Sequence, residues 1–156
     1  MHYHIGGDKT VRNLYPFIDN NSSILDIGCG WGGPATMLHN EKQCTIHGVT
    51  NSPQQHQYYP FTSTLADANT YIPDSHYDTT IFIESFCHLT QSTLTNIRPY
   101  TKQIIIRDYI TPHDWYNEEW QMYMRNESTY HALLSDYTIT HQEIDTAADI
   151  YNSSLY

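Results

Sequence analysis

Short apolar runs rich in branched side chains recur along the chain, separated by polar and turn-forming stretches. They predict strands at Ile24–Ile27, Thr45–Val49, Ser63–Ala66, Thr79–Ile83, Ile104–Arg107 and Tyr137–Glu143. Stretches such as TTIFIES and QIIIRDYI place apolar residues at consecutive rather than alternate positions, the pattern of strands covered on both faces. Helices are predicted between them at Trp31–Asn40, Pro53–Tyr58, Thr90–Pro99 and Asp114–Leu134. The second starts with Ser52 as its cap and proline at its first position. The last is the longest, with Trp115, Trp120, Met124 and Leu134 on roughly one face. Strands alternating with helices predict an α/β domain built on a doubly wound, mostly parallel sheet. At 156 residues, without an internal repeat or linker, the chain reads as a single domain over residues 1–156.

Composition and charge narrow the partners. No apolar stretch approaches the ~20 residues of a membrane-spanning helix. The N-terminal MHYHIGGDKT lacks the basic-then-apolar order of a signal peptide, so a cytoplasmic setting is expected. Cys29, Cys44 and Cys87 lie far apart with no CxxC spacing, which suggests neither a disulfide framework nor a zinc site; no metal ligands are assigned. Seven Lys plus Arg against seventeen Asp plus Glu give a formal charge of −10 at pH 7. Such a chain repels a polyphosphate backbone, so nucleic acid is not an expected partner. Fourteen tyrosines and ten histidines supply hydroxyls, imidazoles and aromatic faces suited to a small polar or cationic ligand, although most will simply pack.

The stretch SILDIGCGWGGPATML, Ser23 to Leu38, carries the most chemistry. An apolar strand ends on Asp26 and passes into Gly28, Gly30, Gly32 and Gly33, with Trp31 among them. In a doubly wound sheet the ligand lies outside the carboxyl ends of the strands, beside the first one, which is where this loop falls. The string departs from the dinucleotide fingerprint GxGxxG. Asp26 also places a negative charge where a pyrophosphate would lie, so a positively charged, phosphate-free ligand fits better. A purely structural glycine turn is the alternative.

ILDIGCGWGG resembles the first motif of class I S-adenosylmethionine-dependent methyltransferases, a Rossmann-like fold whose loop wraps the methionine end and ribose of the cofactor. HIGGDKT at His4–Thr10 resembles the segment before the first helix of small-molecule methyltransferases. HGVTNSPQQ at His47–Gln55 is similar to the second-strand region of cyclopropane-fatty-acid synthases and tocopherol methyltransferases. ADANTYIPDSHYDTTIFIES resembles the family's adenine loop and fourth strand. The resemblance covers roughly residues 4–145. It implies that Gly28, Gly30 and Gly32, with Trp31, approach S-adenosylmethionine, and that Asp26 steadies the loop or the methionine amino group. It implies ribose contacts from Thr50, Asn51 and Gln55 in place of the usual acidic residue, and adenine contacts from Asp67 and Ala68.

For catalysis, methyl transfer needs in-line placement of an acceptor and, for a protonated nucleophile, a base. IESFCHL puts Glu84 at the end of the fourth strand and His88 four residues on. The string resembles a segment of phosphoethanolamine methyltransferases in which the corresponding histidine is the general base and the corresponding acid sits beside the substrate amine. His88 is therefore either the base or a loop histidine satisfied by backbone, and Glu84 either an acceptor or cofactor ligand or a structural residue. RDYI and EEWQMYMRNESTY keep the rhythm of the same family. They imply a catalytic position for Tyr109 and acceptor contacts from Tyr123, Arg125 and Tyr130, against the plainer alternative of an aromatic face packed on the sheet. His4, in the leader, joins the acceptor-binding candidates.

The chain begins almost at the cofactor leader and ends soon after its predicted sixth strand, so a minimal version of the fold is expected, lacking the lid and the seventh strand. A homo-oligomer is one way to complete the open acceptor side. The expected function is methyl transfer from S-adenosylmethionine to a small-molecule amine or hydroxyl, yielding S-adenosylhomocysteine. The alternatives are methyl or methylene transfer to a lipid alkene, as in cyclopropane synthases, and a non-catalytic cofactor-binding regulator.

Overall fold

A computed structural model of the chain describes residues 5–140. Five strands make one parallel sheet in the order β3-β2-β1-β4-β5: β1 (Ser23–Ile27), β2 (Thr45–Thr50), β3 (Thr62–Leu65), β4 (Tyr77–Ile83) and β5 (Thr101–Arg107). The chain reverses direction of travel across the sheet at β1, whose neighbours are β2 on one side and β4 on the other. This is the doubly wound arrangement the apolar runs predict.

Alternation along β1 divides the core into two layers. Ile24, with Ile46 and Ile81 beside it, packs under α1 (Ile5–Arg12) and α2 (Gly33–Lys42) through Val11, Ala35 and Leu38. Leu25 and Ile27, with Val49 and Phe82, pack on the other face against α4 (Gln91–Ile97) and α5 (Glu127–Leu133) through Leu94, Ile97 and Tyr130. Most of these side chains have lost all contact with water, each such burial favouring the fold by roughly 1.5–3 kcal/mol. Cys29, Cys44 and Cys87 are free thiols buried in this interior.

The short α3 (Pro53–Tyr58) forms over the residues expected, its N-terminus capped by the Ser52 hydroxyl, which accepts from the Gln55 amide at 3.3 Å. The expected helix over Asp114–Leu134 does not form. Residues Trp115–Asn117 (β6) and Met122–Met124 (β7) pair as an antiparallel hairpin, and only Glu127–Leu133 is helical. Turn chemistry overrides the helical spacing. The Asn117 side chain accepts from the Trp120 amide at 3.0 Å, and Gln121 takes a positive φ of 51°. Asn126 caps α5 by accepting from the Thr129 amide at 2.9 Å, so the helix starts there. Trp115 and Trp120, expected on one face of that helix, are 52% and 64% exposed. Of the expected sixth strand, Tyr137–Thr140 is not extended into a sheet, and the remainder to Glu143 lies outside the described residues.

Candidate functional site

The carboxyl ends of β1, β2, β4 and β5 converge on one edge of the sheet, and the candidate residues gather there. The loop after β1 turns through three left-handed glycines, Gly28, Gly30 and Gly32, with φ of 74°, 53° and 79°. The amides of Gly28 and Cys29 both donate to the Val49 carbonyl, at 2.9 and 3.1 Å, holding the loop to β2. A Cβ on Gly28 would fall 2.5 Å from that of Ser85, and one on Gly32 would fall 2.5 Å from Pro60 Cδ. A Cβ on Gly30 would meet nothing within 4 Å among the described residues. Two of the glycines are thus needed for the loop to pack, and Gly30 opens on the free space above it. Trp31, next to it, is 50% exposed.

Asp26 lies beneath this loop, 3% exposed. Its Oδ2 accepts from the Tyr59 hydroxyl at 3.1 Å, and Oδ1 has no hydrogen bond among the described residues. Burial raises its pKa to about 7, against the lowering effect of the Tyr59 hydrogen bond. Cys29, also on the loop, is pushed up to about 12 by burial and by the Asp26 charge. At the end of β2, the buried Thr50 hydroxyl donates to Gln55 Oε1 at 2.7 Å and accepts from the Ser52 amide at 3.2 Å. Asn51, between them in sequence, is exposed.

After β3, exposed Asp67 makes a turn in which its Oδ1 accepts from the Asn69 amide at 2.9 Å and from Asn69 Nδ2 at 3.0 Å; Ala68 is buried behind it. Asn69 ties this turn to α4, its Oδ1 accepting from the Thr90 amide at 2.8 Å and the Thr90 hydroxyl at 2.9 Å. Sequence reasoning passed over Asn69, although an asparagine two positions past an aspartate is a common turn signal.

At the end of β4, Glu84 takes a φ of 53°, rare for a residue with a side chain. Next to it, the Ser85 hydroxyl donates to the Ile27 carbonyl at 2.6 Å and locks β4 to β1. His88 is exposed, and its Nδ1 lies 3.2 Å from the carbonyl of Gln121 in the β6–β7 turn. A carbonyl can only accept, so Nδ1 carries a proton, and in the neutral ring the lone pair is on Nε2. Tyr109, beyond β5, stands beside Glu84. Its hydroxyl pKa rises to about 12, first through burial and then through the charge and hydrogen bonding of Glu84.

Arg125 and Tyr130 lie deeper. Arg125 is 7% exposed and donates to the Phe86 carbonyl at 2.9 Å and to the Leu89 carbonyl. Its guanidinium is 4.9 Å from the Phe86 ring centre and 5.0 Å from that of Tyr123, whose other neighbour is Tyr116 at 4.9 Å. Tyr130 is buried, and its hydroxyl has no hydrogen bond among the described residues. Asp108, another residue the sequence did not flag, accepts from the amides of Cys87 and Tyr109 and is raised by burial. His4 lies outside the described residues.

Comparison with solved structures places this arrangement. Coclaurine N-methyltransferase, bound to N-methylheliamine and SAH, superposes with a TM-score of 0.81 at 17% identity, over 95% of this chain and 52% of that one. The chain has the class I methyltransferase fold. Phosphoethanolamine N-methyltransferase 2 of Haemonchus contortus, in complex with S-adenosyl-L-methionine, matches with a TM-score of 0.68 at 20% identity, over 83% and 36%. In sequence, the sterol 24-C-methyltransferase of Clavispora lusitaniae is 38% identical over 58 residues, covering 35% of this chain and 16% of that protein. The enzyme of the same name from Eremothecium gossypii is 30% identical over 83 residues, covering 46% and 22%. The methyltransferase fold therefore occupies about half the coclaurine enzyme's length here, and the matched segments less than a quarter of the sterol enzymes. No family model matches the chain. Among the described residues no helix is long and apolar enough to cross a membrane.

Proposed function

We propose that the chain is a single S-adenosylmethionine-dependent methyltransferase domain that methylates an amine or hydroxyl of a small molecule and releases S-adenosylhomocysteine. The observation that carries the proposal is the pairing of Gly30, open above the loop, with buried Asp26, one of whose oxygens has no partner among the described residues. A buried carboxylate with an unspent acceptor favours a cationic donor, as the methionine end of this cofactor is, over a phosphate. When bound, the cofactor supplies a methyl group on a positively charged sulfur.

The chain's own residues have the remaining tasks. Gly28, Gly30, Gly32 and Trp31 border the methionine portion, and Thr50, Asn51 and Gln55 the ribose. Gln55 spends its Oε1 on Thr50, leaving Nε2 for a ribose oxygen. Asp67 and Ala68 take the adenine edge. His88 removes the acceptor's proton; Glu84, beside Tyr109, orients the acceptor's amine or hydroxyl. Tyr123 offers an exposed ring to it. Arg125 and Tyr130, both buried, support the 86–89 turn that carries His88.

A second reading, carbon methylation of a sterol or another lipid alkene, draws on the two sterol 24-C-methyltransferases and on the exposed rings of Trp115, Tyr116 and Trp120. Calorimetric titration with S-adenosylmethionine and S-adenosylhomocysteine tests the cofactor, with micromolar binding expected. Mass analysis after incubation with an amine and phenol panel, and separately with sterols and unsaturated phospholipid, then separates the two acceptor classes. No binding of either nucleoside would overturn both readings.

A further inference from the structure

Tyr59 is not among the site residues assigned above, and its hydroxyl bonds one that is, Asp26. It follows α3 and is 7% exposed. Its ring lies edge-on to Phe61, with centres 5.9 Å apart. The ring fills space that two glycines leave: a Cβ on Gly48 would fall 2.6 Å from one ring carbon, and a Cβ on Gly32 would fall 3.0 Å from another. The ring is therefore gripped between β2 and the glycine loop, and its hydroxyl is delivered to Asp26 Oδ2 at 3.1 Å.

We infer that Tyr59 is a positioning residue for the cofactor's amino group: its hydroxyl holds one oxygen of Asp26 beneath the loop and turns the carboxyl group so that the other oxygen faces the ligand. This rests on the cofactor proposed above. The physical basis is short. A carboxylate taken out of water is costly unless donors replace the solvent, and the Tyr59 hydroxyl is the donor it has among the described residues. β2 and β4 bring Gly48 and Ile81 level with Asp26, neither of them titratable. The titratable groups on which the Asp26 charge bears are Tyr59 itself and Cys29. Burial and the neighbouring Asp26 charge raise both of those groups, so each stays neutral and the hydroxyl keeps its proton to donate.

Tyr59→Phe keeps the gripped ring and removes only the donor, so it should fold. A hydrogen bond to a charged group lost from a buried site moves the carboxyl's midpoint up by roughly one to two pH units. Two readouts apply. The first uses no ligand: the Asp26 carboxyl carbon, followed by NMR against pH, should titrate about one unit or more higher in Tyr59→Phe than in the wild-type protein. An unchanged midpoint would overturn the inference whatever the cofactor proves to be. The second compares S-adenosylmethionine affinity of the two proteins by calorimetry. The wild-type protein should bind about fivefold or more tightly at pH 7, and the ratio should shrink towards one by pH 9, because the ligand's own ionisation cancels in it. A ratio constant with pH would mean a merely structural tyrosine. Wild-type protein that fails to bind at all, with the NMR shift present, would overturn the cofactor proposal and leave the Tyr59–Asp26 coupling standing.

Discussion

Glu84 donates its main-chain amide to the carbonyl of Arg107 across 2.7 Å, joining the last turn of β4 to the end of β5 while its own backbone stays left-handed. A side chain in that region costs about 1 kcal/mol, and strained residues persist where surroundings hold them, often at functional sites. Glu84→Gly removes both the carboxylate and the strain; Glu84→Ala removes only the carboxylate. Thermal unfolding should find the glycine variant more stable than the alanine variant by about 1 kcal/mol, with methyl transfer lost equally in both. Retained turnover in either variant would release Glu84 from the acceptor site.

Asp26 places a cost on the fold that pH should expose. Its carboxyl titrates at about 7 when folded, against about 3.9 in an unfolded chain. Between these values the folded protein holds a proton the unfolded chain has released, so stability falls as pH rises through that window. The loss at pH 8 is on the order of 4 kcal/mol. Asp26→Asn cannot ionise and should melt several degrees higher than the wild-type protein at pH 8, with the gap closing by pH 4, and should bind S-adenosylmethionine poorly. A gap that does not change with pH would contradict the burial argument.

Gly30 separates ligand contact from loop packing. Gly30→Ala adds a methyl group into space that no atom of the described residues occupies within 4 Å, at about 1 kcal/mol for its left-handed backbone. The variant should stay folded by circular dichroism and lose S-adenosylmethionine affinity by tenfold or more. Gly28→Ala and Gly32→Ala, which collide with Ser85 and Pro60, should instead lose stability first. Normal affinity in Gly30→Ala would place the cofactor elsewhere.

His88→Ala should reduce kcat by about 10²–10⁴, the range for loss of a general base, with cofactor affinity by calorimetry nearly unchanged. Turnover close to that of the wild-type protein would make His88 only a tie to the Gln121 carbonyl.

What could be read from the sequence divides by physical cause. β1 and β4 were legible because strands covered on both faces are largely apolar, and α3 because Ser52-Pro53 is a local signal. The glycine loop was legible because left-handed backbone demands its residue type. The β6–β7 hairpin was not, since Trp115, Trp120 and Met124 happen to fall at helical spacing while the deciding signals, Asn117 and Asn126, act through side-chain hydrogen bonds to amides. Tyr59 escaped notice for a different reason: nothing local marks a tyrosine whose partner, Asp26, lies 33 residues earlier.

The bond from the Ser85 hydroxyl to the Ile27 carbonyl spans 58 residues of chain. During synthesis the glycine loop emerges early, yet the side chain that packs against Gly28 and fastens β1 to β4 follows only after those residues have been added. At 5–20 residues per second that interval is roughly 3–12 s. Through it the apolar SILDI segment waits without its β4 partner, an unpaired strand edge of the kind that makes a nascent chain prone to aggregate.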